Sequence, residues 1–245
     1  MRRILGIAIA LCTCLLIATS SPAASPDNAE SLVAKAHPLP PALARWQDPN
    51  NSGDYFDRVQ ELDIGYLIWS EFPVKIYLEN LEESDAPPDS FQAKALQAWQ
   101  KQVLAAVQSW NAYFPLVRVD NPEKADITIW RRRPPLRLSP TREILPARSA
   151  EARYELYARE RVDAPAILSH RFTIFLSPTQ VGEYIQSAAS HEIGHALGIW
   201  GHSPLETDTM YFSQVRRPGP ISARDINTLK RVYQQPTHLG WPLVD

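Results

Sequence analysis

The run His191-Glu192-Ile193-Gly194-His195 constrains this chain more than any other feature. Residues four apart on an α-helix lie on nearly one face, one turn above the other, so imidazoles at 191 and 195 grip one ion only if this stretch is helical. Glu192 then projects about 100° round the axis from His191. That keeps it out of the ligand set yet within reach of a water on the ion, whose proton a carboxylate can take. Three protein ligands would leave one position of a zinc ion open for that water, whose pKa the ion lowers to about 7. A fold that uses this run needs a helix here, and a reversal of the chain after it if the third ligand comes from downstream.

Ala196-Leu197-Gly198 follows, and Gly198 suits a left-handed helix stop that turns the chain back. His202 lies just beyond, within chain reach of the same ion, with Glu206 and Asp208 as alternatives farther along. Met210, in Thr209-Met210-Tyr211, is the only methionine besides the initiator. The stretch from His191 to His202 with this downstream methionine resembles the metzincin clan of zinc peptidases and is similar to its matrixin-like branch. The clan's signature is an HExxHxxGxxH run followed by a methionine-containing turn beneath the metal.

The resemblance implies that His191, His195 and His202 are zinc ligands, that Glu192 is the catalytic general base and that Met210 forms the turn. It implies hydrolysis of a peptide or protein substrate without a covalent intermediate. The chain departs from the pattern at one point: Gly201 occupies the usual third-ligand place and His202 comes one residue late. A bulge within Ile199-Trp200-Gly201, which glycine permits, would absorb the extra residue. The competing expectation is an inactive relative, a zinc-stabilised module that holds peptides without cutting them. Retention of Glu192 argues against it, because metal binding alone needs no such residue. A structural Ca2+ is not indicated by the sequence.

Periodicity gives the surroundings. Val74, Ile76 and Leu78 alternate with polar neighbours as in a half-buried strand, and further strands are expected at Leu116–Val119, Asp126–Arg131, Arg153–Arg159 and Arg171–Leu176. Phe91, Ala95, Trp99, Val103, Ala106, Trp110 and Phe114 recur at three- and four-residue intervals along one side of a long helix. Ser177-Pro178-Thr179-Gln180 reads as the start of the metal-binding helix, with serine as N-cap and proline at the first position. A last helix is expected over Ala223–Tyr233, after Ser222. The fold class is therefore α+β. The resemblance, loosely extended from Pro73 to Tyr233, implies a metzincin-like domain: a mixed twisted sheet of about five strands, a long backing helix, a zinc helix and a C-terminal helix.

At 245 residues and 44% hydrophobic content, one catalytic domain is the default, expected over 64–245. Arg2-Arg3, an apolar run from Ile4 to Ile17 and small residues through Ala24 read as an export signal over 1–24, too short for a membrane span. Cys12 and Cys14 both fall inside it, so the mature chain would lack disulfides. The Pro- and Ala-rich stretch 25–63 reads as a pro-segment or linker. Asp54 within it is a candidate latency residue against an ordinary turn. A net charge of -2 gives no field to gather nucleic acid or an anionic membrane. Residues 132–150 read as an exposed Arg- and Pro-rich loop, with Arg131-Arg132-Arg133 as solvated charge or a substrate rim. The cleft wall is expected from the Arg153–Arg159 strand and the segment after Met210. His37, His170 and His238 read as surface or structural.

Overall fold

Alternation of apolar and polar residues produces five strands: β1 (Val74–Leu78), β2 (Leu116–Val119), β3 (Ile127–Trp130), β4 (Ala150–Arg161) and β5 (Ala164–Leu176). They form one mixed sheet in the order β2-β1-β3-β5-β4. β2, β1, β3 and β5 are parallel to their neighbours, and β4 runs antiparallel along β5 at the edge. Val74, Ile76, Ile127, Ile129, Phe172 and Ile174 alternate along three neighbouring strands in register, share one face of the sheet and are all at most 2% exposed, so that face meets the core. The computed structural model describes residues 34–80, 87, 89–213 and 219–243, and the stretch 1–24 lies outside them.

Among the described residues, four α-helices accompany the sheet: α1 (Pro41–Arg45), α2 (Phe91–Asn111), α3 (Glu183–Leu197) and α4 (Ala223–Val232). Ser90 caps α2 by accepting from the Ala93 amide at 3.1 Å. The expected stripe of α2 is buried from Trp99 through Trp110, while Phe91, read as its first member, is 89% exposed. No described helix is long and apolar enough to cross a membrane.

The start of α3 differs from the expectation. The Ser177 hydroxyl is spent on a local turn, 2.9 Å from Thr179 Oγ1, and the helix starts six residues later at Glu183, after Gly182 at φ +59°. Its later half is buried nearly all round, from Ala189 to Leu197. Three side chains fix it through its carbonyls: Trp110 Nε1 donates to Ser190 at 2.8 Å, Trp69 Nε1 to Ala196 at 2.8 Å, and the Tyr233 hydroxyl to Leu197 at 3.0 Å. The last two satisfy acceptors that a helix end leaves without internal partners. At the start of α4, Ser222 and Asp225 form a reciprocal capping box.

Residues 34–63 are packed onto this frame. Leu43 and Tyr55 are 0% and 1% exposed, Lys35 and Thr237 exchange backbone hydrogen bonds at 3.1 Å, and Trp46 Nε1 donates to Asn227 at 2.8 Å. Asp54 accepts from the Phe56 amide and pairs with Arg231 of α4 at 3.1 Å.

His170 on β5 is 4% exposed and stacks on Trp69 at 3.9 Å between ring centroids. Burial pushes it down to about 3. Above pH 6.5 neither the folded nor the unfolded state protonates it. Below 6.5 the unfolded chain takes up a proton that the folded chain refuses, so stability falls by about 1.4 kcal/mol per pH unit towards pH 3. Urea unfolding of metal-free protein should show the parent losing about 2 kcal/mol more than His170→Phe between pH 7 and pH 5. Equal losses in the two proteins would show that His170 does not carry this acid limb.

Candidate metal centre

α3 brings His191 and His195 together as the four-residue spacing requires, with ring centroids 4.7 Å apart. His202 joins them after the helix ends, 5.3 Å from His191 and 4.9 Å from His195. Ligand nitrogens of the three rings lie within 4.8 Å of one another, and they are the one such His/Cys/Asp/Glu group among the described residues.

The rings are held in a defined tautomer. His191 Nδ1 lies 2.9 Å from the Thr209 carbonyl and His195 Nδ1 lies 2.8 Å from the Ile199 carbonyl. A carbonyl only accepts, so Nδ1 carries the proton in each neutral ring and Nε2 keeps its lone pair. Burial drives His191 down to about 4 and His195 well below the usual histidine range, and it also lowers His202. The donor set is therefore neutral imidazole at pH 7, the form a transition-metal ion binds.

A tight reversal carries the chain from the end of α3 to His202. Gly198 stands at φ +128°, and a Cβ there would meet the Leu67 carbonyl oxygen at 2.6 Å. The Trp200 amide then donates to the Gly198 carbonyl and the Gly201 amide to the Ile199 carbonyl, both at 2.9 Å. Gly201 bridges Val59, and a Cβ on it would lie 2.1 Å from the Arg58 carbonyl oxygen. The close approach of residues 58–60 thus requires glycine at 201, and the imidazole follows one position later.

The carboxylates weighed as alternative ligands lie outside the histidine group, although Asp208 lines the cleft that holds the group. Asp208 is 5% exposed and its oxygens accept from Ser203, Ser222 and Arg224, the last at 3.0 Å. Glu206 is exposed and outside the histidine group. Met210 is fully buried under α3, where a Cβ on Gly194 would come within 2.2 Å of its sulfur. The glycine inside the histidine run thus makes room for the methionine.

Glu192 is 8% exposed and lines the same cleft, a cavity of about 670 Å³. Burial pushes its carboxyl up to about 8, against the pull of the Ala152 amide and the Arg148 charge. One wall is 147–152, the lead-in and first three residues of β4, in place of the expected Arg153–Arg159. The other expected wall is present as Tyr211, Phe212 and Ser213. Asp54 is not among the lining residues. His37 is structural, 2.7 Å from the Leu239 carbonyl and stacked on Trp241.

Sequence reading missed Asp225. It is fully buried and accepts from the Tyr55 hydroxyl and from the amides of Thr209, Met210 and Ser222. Asp225 thus anchors the turn that carries Met210 and the carbonyl that orients His191, alongside the Ser203 amide, which donates to the Met210 carbonyl at 2.8 Å. Its only sequence signal is the capping-box spacing from Ser222. No protein-family model matches the chain, and no curated protein matches it.

Proposed function

We propose that the chain is an exported zinc metalloendopeptidase that hydrolyses peptide bonds with Glu192 as general base. The observation that carries this reading is the convergence of three neutral imidazoles, two oriented by backbone carbonyls, on a cleft that also holds a buried carboxyl group. Three nitrogen donors with room for a fourth ligand suit catalytic zinc, and oxygen-seeking calcium or magnesium would find no carboxylate among them. The metzincin-like part of the reading is supported by the histidine run, the methionine under Gly194 and a mixed five-stranded sheet.

His191, His195 and His202 would hold the ion. When bound, zinc would supply Lewis acidity that activates a water and polarises the scissile carbonyl. Glu192, kept ionised by the charge of a divalent cation beside it against the burial that raises its carboxyl, accepts the proton of the attacking water and returns it to the departing amine. The Thr209 and Ile199 carbonyls keep the ligand rings from rotating, which limits reorganisation during the reaction. Gln60 and Tyr211, both on the cleft, would offer hydrogen bonds to the polar groups of a bound peptide.

The purified chain is expected to carry about one zinc ion, as three protein ligands and an open position imply. It should cut an unfolded protein, lose both properties to a chelator and recover both with added zinc. Zinc binding with no cleavage of any unfolded substrate would replace this reading with a peptide-binding module.

A further inference from the structure

Mean composition hides a strong local field. Between Arg131 and Arg148 stand six arginines and a single acid, Glu143, in a chain whose formal net charge is -2. This segment is ordered by its own bonds. Leu138 bridges Ile144, the Ser139 amide donates to the Glu143 carbonyl at 2.8 Å, and the Leu145 amide donates to Arg137 at 2.9 Å. The small hairpin leaves Leu136, Leu138 and Ile144 between 60% and 68% exposed. Exposed aliphatic side chains among like charges are costly to keep on a surface without a partner.

Two of the arginines are tied down, Arg131 to the Pro178 carbonyl and Arg132 to Glu79. Among the described residues Arg133, Arg137 and Arg142 have no ion pair. The hairpin runs directly into the cleft wall, where Arg148 lines the cavity. Arg148 is 3.5 Å from Glu151, which is already paired with Arg153 at 3.2 Å, so one carboxylate faces two guanidinium groups. The Arg148 charge reaches Glu192, His195 and His202. A cationic track therefore leads from the hairpin to the reacting centre.

We propose that this track selects acidic polypeptide, with Arg148 pairing to an Asp or Glu side chain near the scissile bond and the 133–145 segment, which contains the hairpin, holding further acidic and apolar residues. Continuity with the cleft favours a polypeptide over a lipid surface, because the basic segment ends inside the cavity. The tip, Ser139-Pro140-Thr141-Arg142, is polar, unlike an element built to insert into acyl chains. The cleavage arm rests on the peptidase reading above; the binding arm does not.

Three synthetic peptides of one apolar sequence, differing only in Glu, Gln or Lys flanking the cleavage point, would be compared on zinc-loaded protein. The Glu peptide should have about tenfold higher kcat/KM than the Gln peptide at low salt, the Lys peptide should be poorest, and added salt should compress the series. Arg148→Glu should reverse the order of the Glu and Lys peptides, and Arg148→Lys should retain it. Equal kcat/KM for all three would overturn the inference and leave the peptidase reading intact. If none is cut, binding to the Glu192→Ala protein, measured by fluorescence anisotropy, decides it. Tighter binding of the Glu peptide, weakened by Arg133→Glu with Arg137→Glu and Arg142→Glu, supports the track, and equal binding overturns it. Binding to phosphatidylserine vesicles with no preference among the peptides overturns it in favour of a membrane surface.

Discussion

Asp225→Ala should destabilise the folded chain by about 3–5 kcal/mol, a large part of the 5–15 kcal/mol that separates a typical domain from its unfolded state. The side chain is fully buried and takes four hydrogen bonds, from the Tyr55 hydroxyl and from the Thr209, Met210 and Ser222 amides. Truncation leaves these donors without a partner in a space from which water is largely excluded, and each such loss costs about 1–3 kcal/mol before relaxation. For a domain of this size the melting temperature should fall by roughly 6–20 °C. Asp225→Asn keeps one acceptor oxygen and turns an NH2 group towards donors, so it should fall between parent and alanine. Thermal unfolding of the metal-free proteins measures this directly. A melting temperature within a degree or two of the parent would mean that packing and the remaining backbone bonds, such as Ser203 amide to Met210 carbonyl at 2.8 Å, suffice to hold the Met210 turn.

The same substitution carries a second expectation, because the Thr209 carbonyl orients His191 through a 2.9 Å hydrogen bond. When the turn loosens, that ring loses its fixed tautomer and direction. Loss of such an outer partner lowers metal affinity by about 10- to 100-fold in comparable sites. Zinc affinity of the folded Asp225→Asn protein should therefore drop, with the three ligands untouched in sequence. An unchanged affinity would separate the role of Asp225 in folding from the geometry of the centre.

How much of this was legible in the chain follows from where the information lies. The strands at 74–78, 116–119 and 127–130 and the helix over 91–111 announce themselves by period, because one face of each meets the core. The histidine run was legible for the same reason: a helix fixes the relation of residues 191 and 195 locally. β4 and β5 are longer than alternation suggested, since their outer ends are held by hairpin pairing, Arg159 with Ile167 and Arg161 with Ala164, and the outer half of β4 has no buried face that a period would reveal. Residues 34–63 show no period, yet Leu43 and Tyr55 are core. Irregular chain is fixed by partners far away, as Tyr55 is by Asp225. Ser177 carried a sound cap pattern, but its hydroxyl found Thr179 first, a competition between turn and helix that serine commonly presents. The turn to His202 depends on the Arg58 carbonyl beside Gly201, 143 residues away, and no window along the sequence contains both.

On the proposed mechanism, Glu192→Ala should lower kcat by about 10²- to 10⁴-fold, the range that a positioned general base contributes. Zinc content should not change, because Glu192 lies outside the group of three histidines and shares the cleft without belonging to the ligand set. KM should move far less than kcat, since the proton is transferred only on the way to the transition state. Glu192→Asp sharpens the test. It keeps the carboxyl group and withdraws it by one methylene, so a base role predicts a partial loss, whereas a purely structural role for this buried residue predicts a loss that follows stability. The reading would be overturned by a Glu192→Ala protein that retains zinc and cuts unfolded substrate at the parental rate. Loss of zinc together with activity would instead make Glu192 a support of the metal centre, leaving the base to be sought elsewhere on the cleft wall.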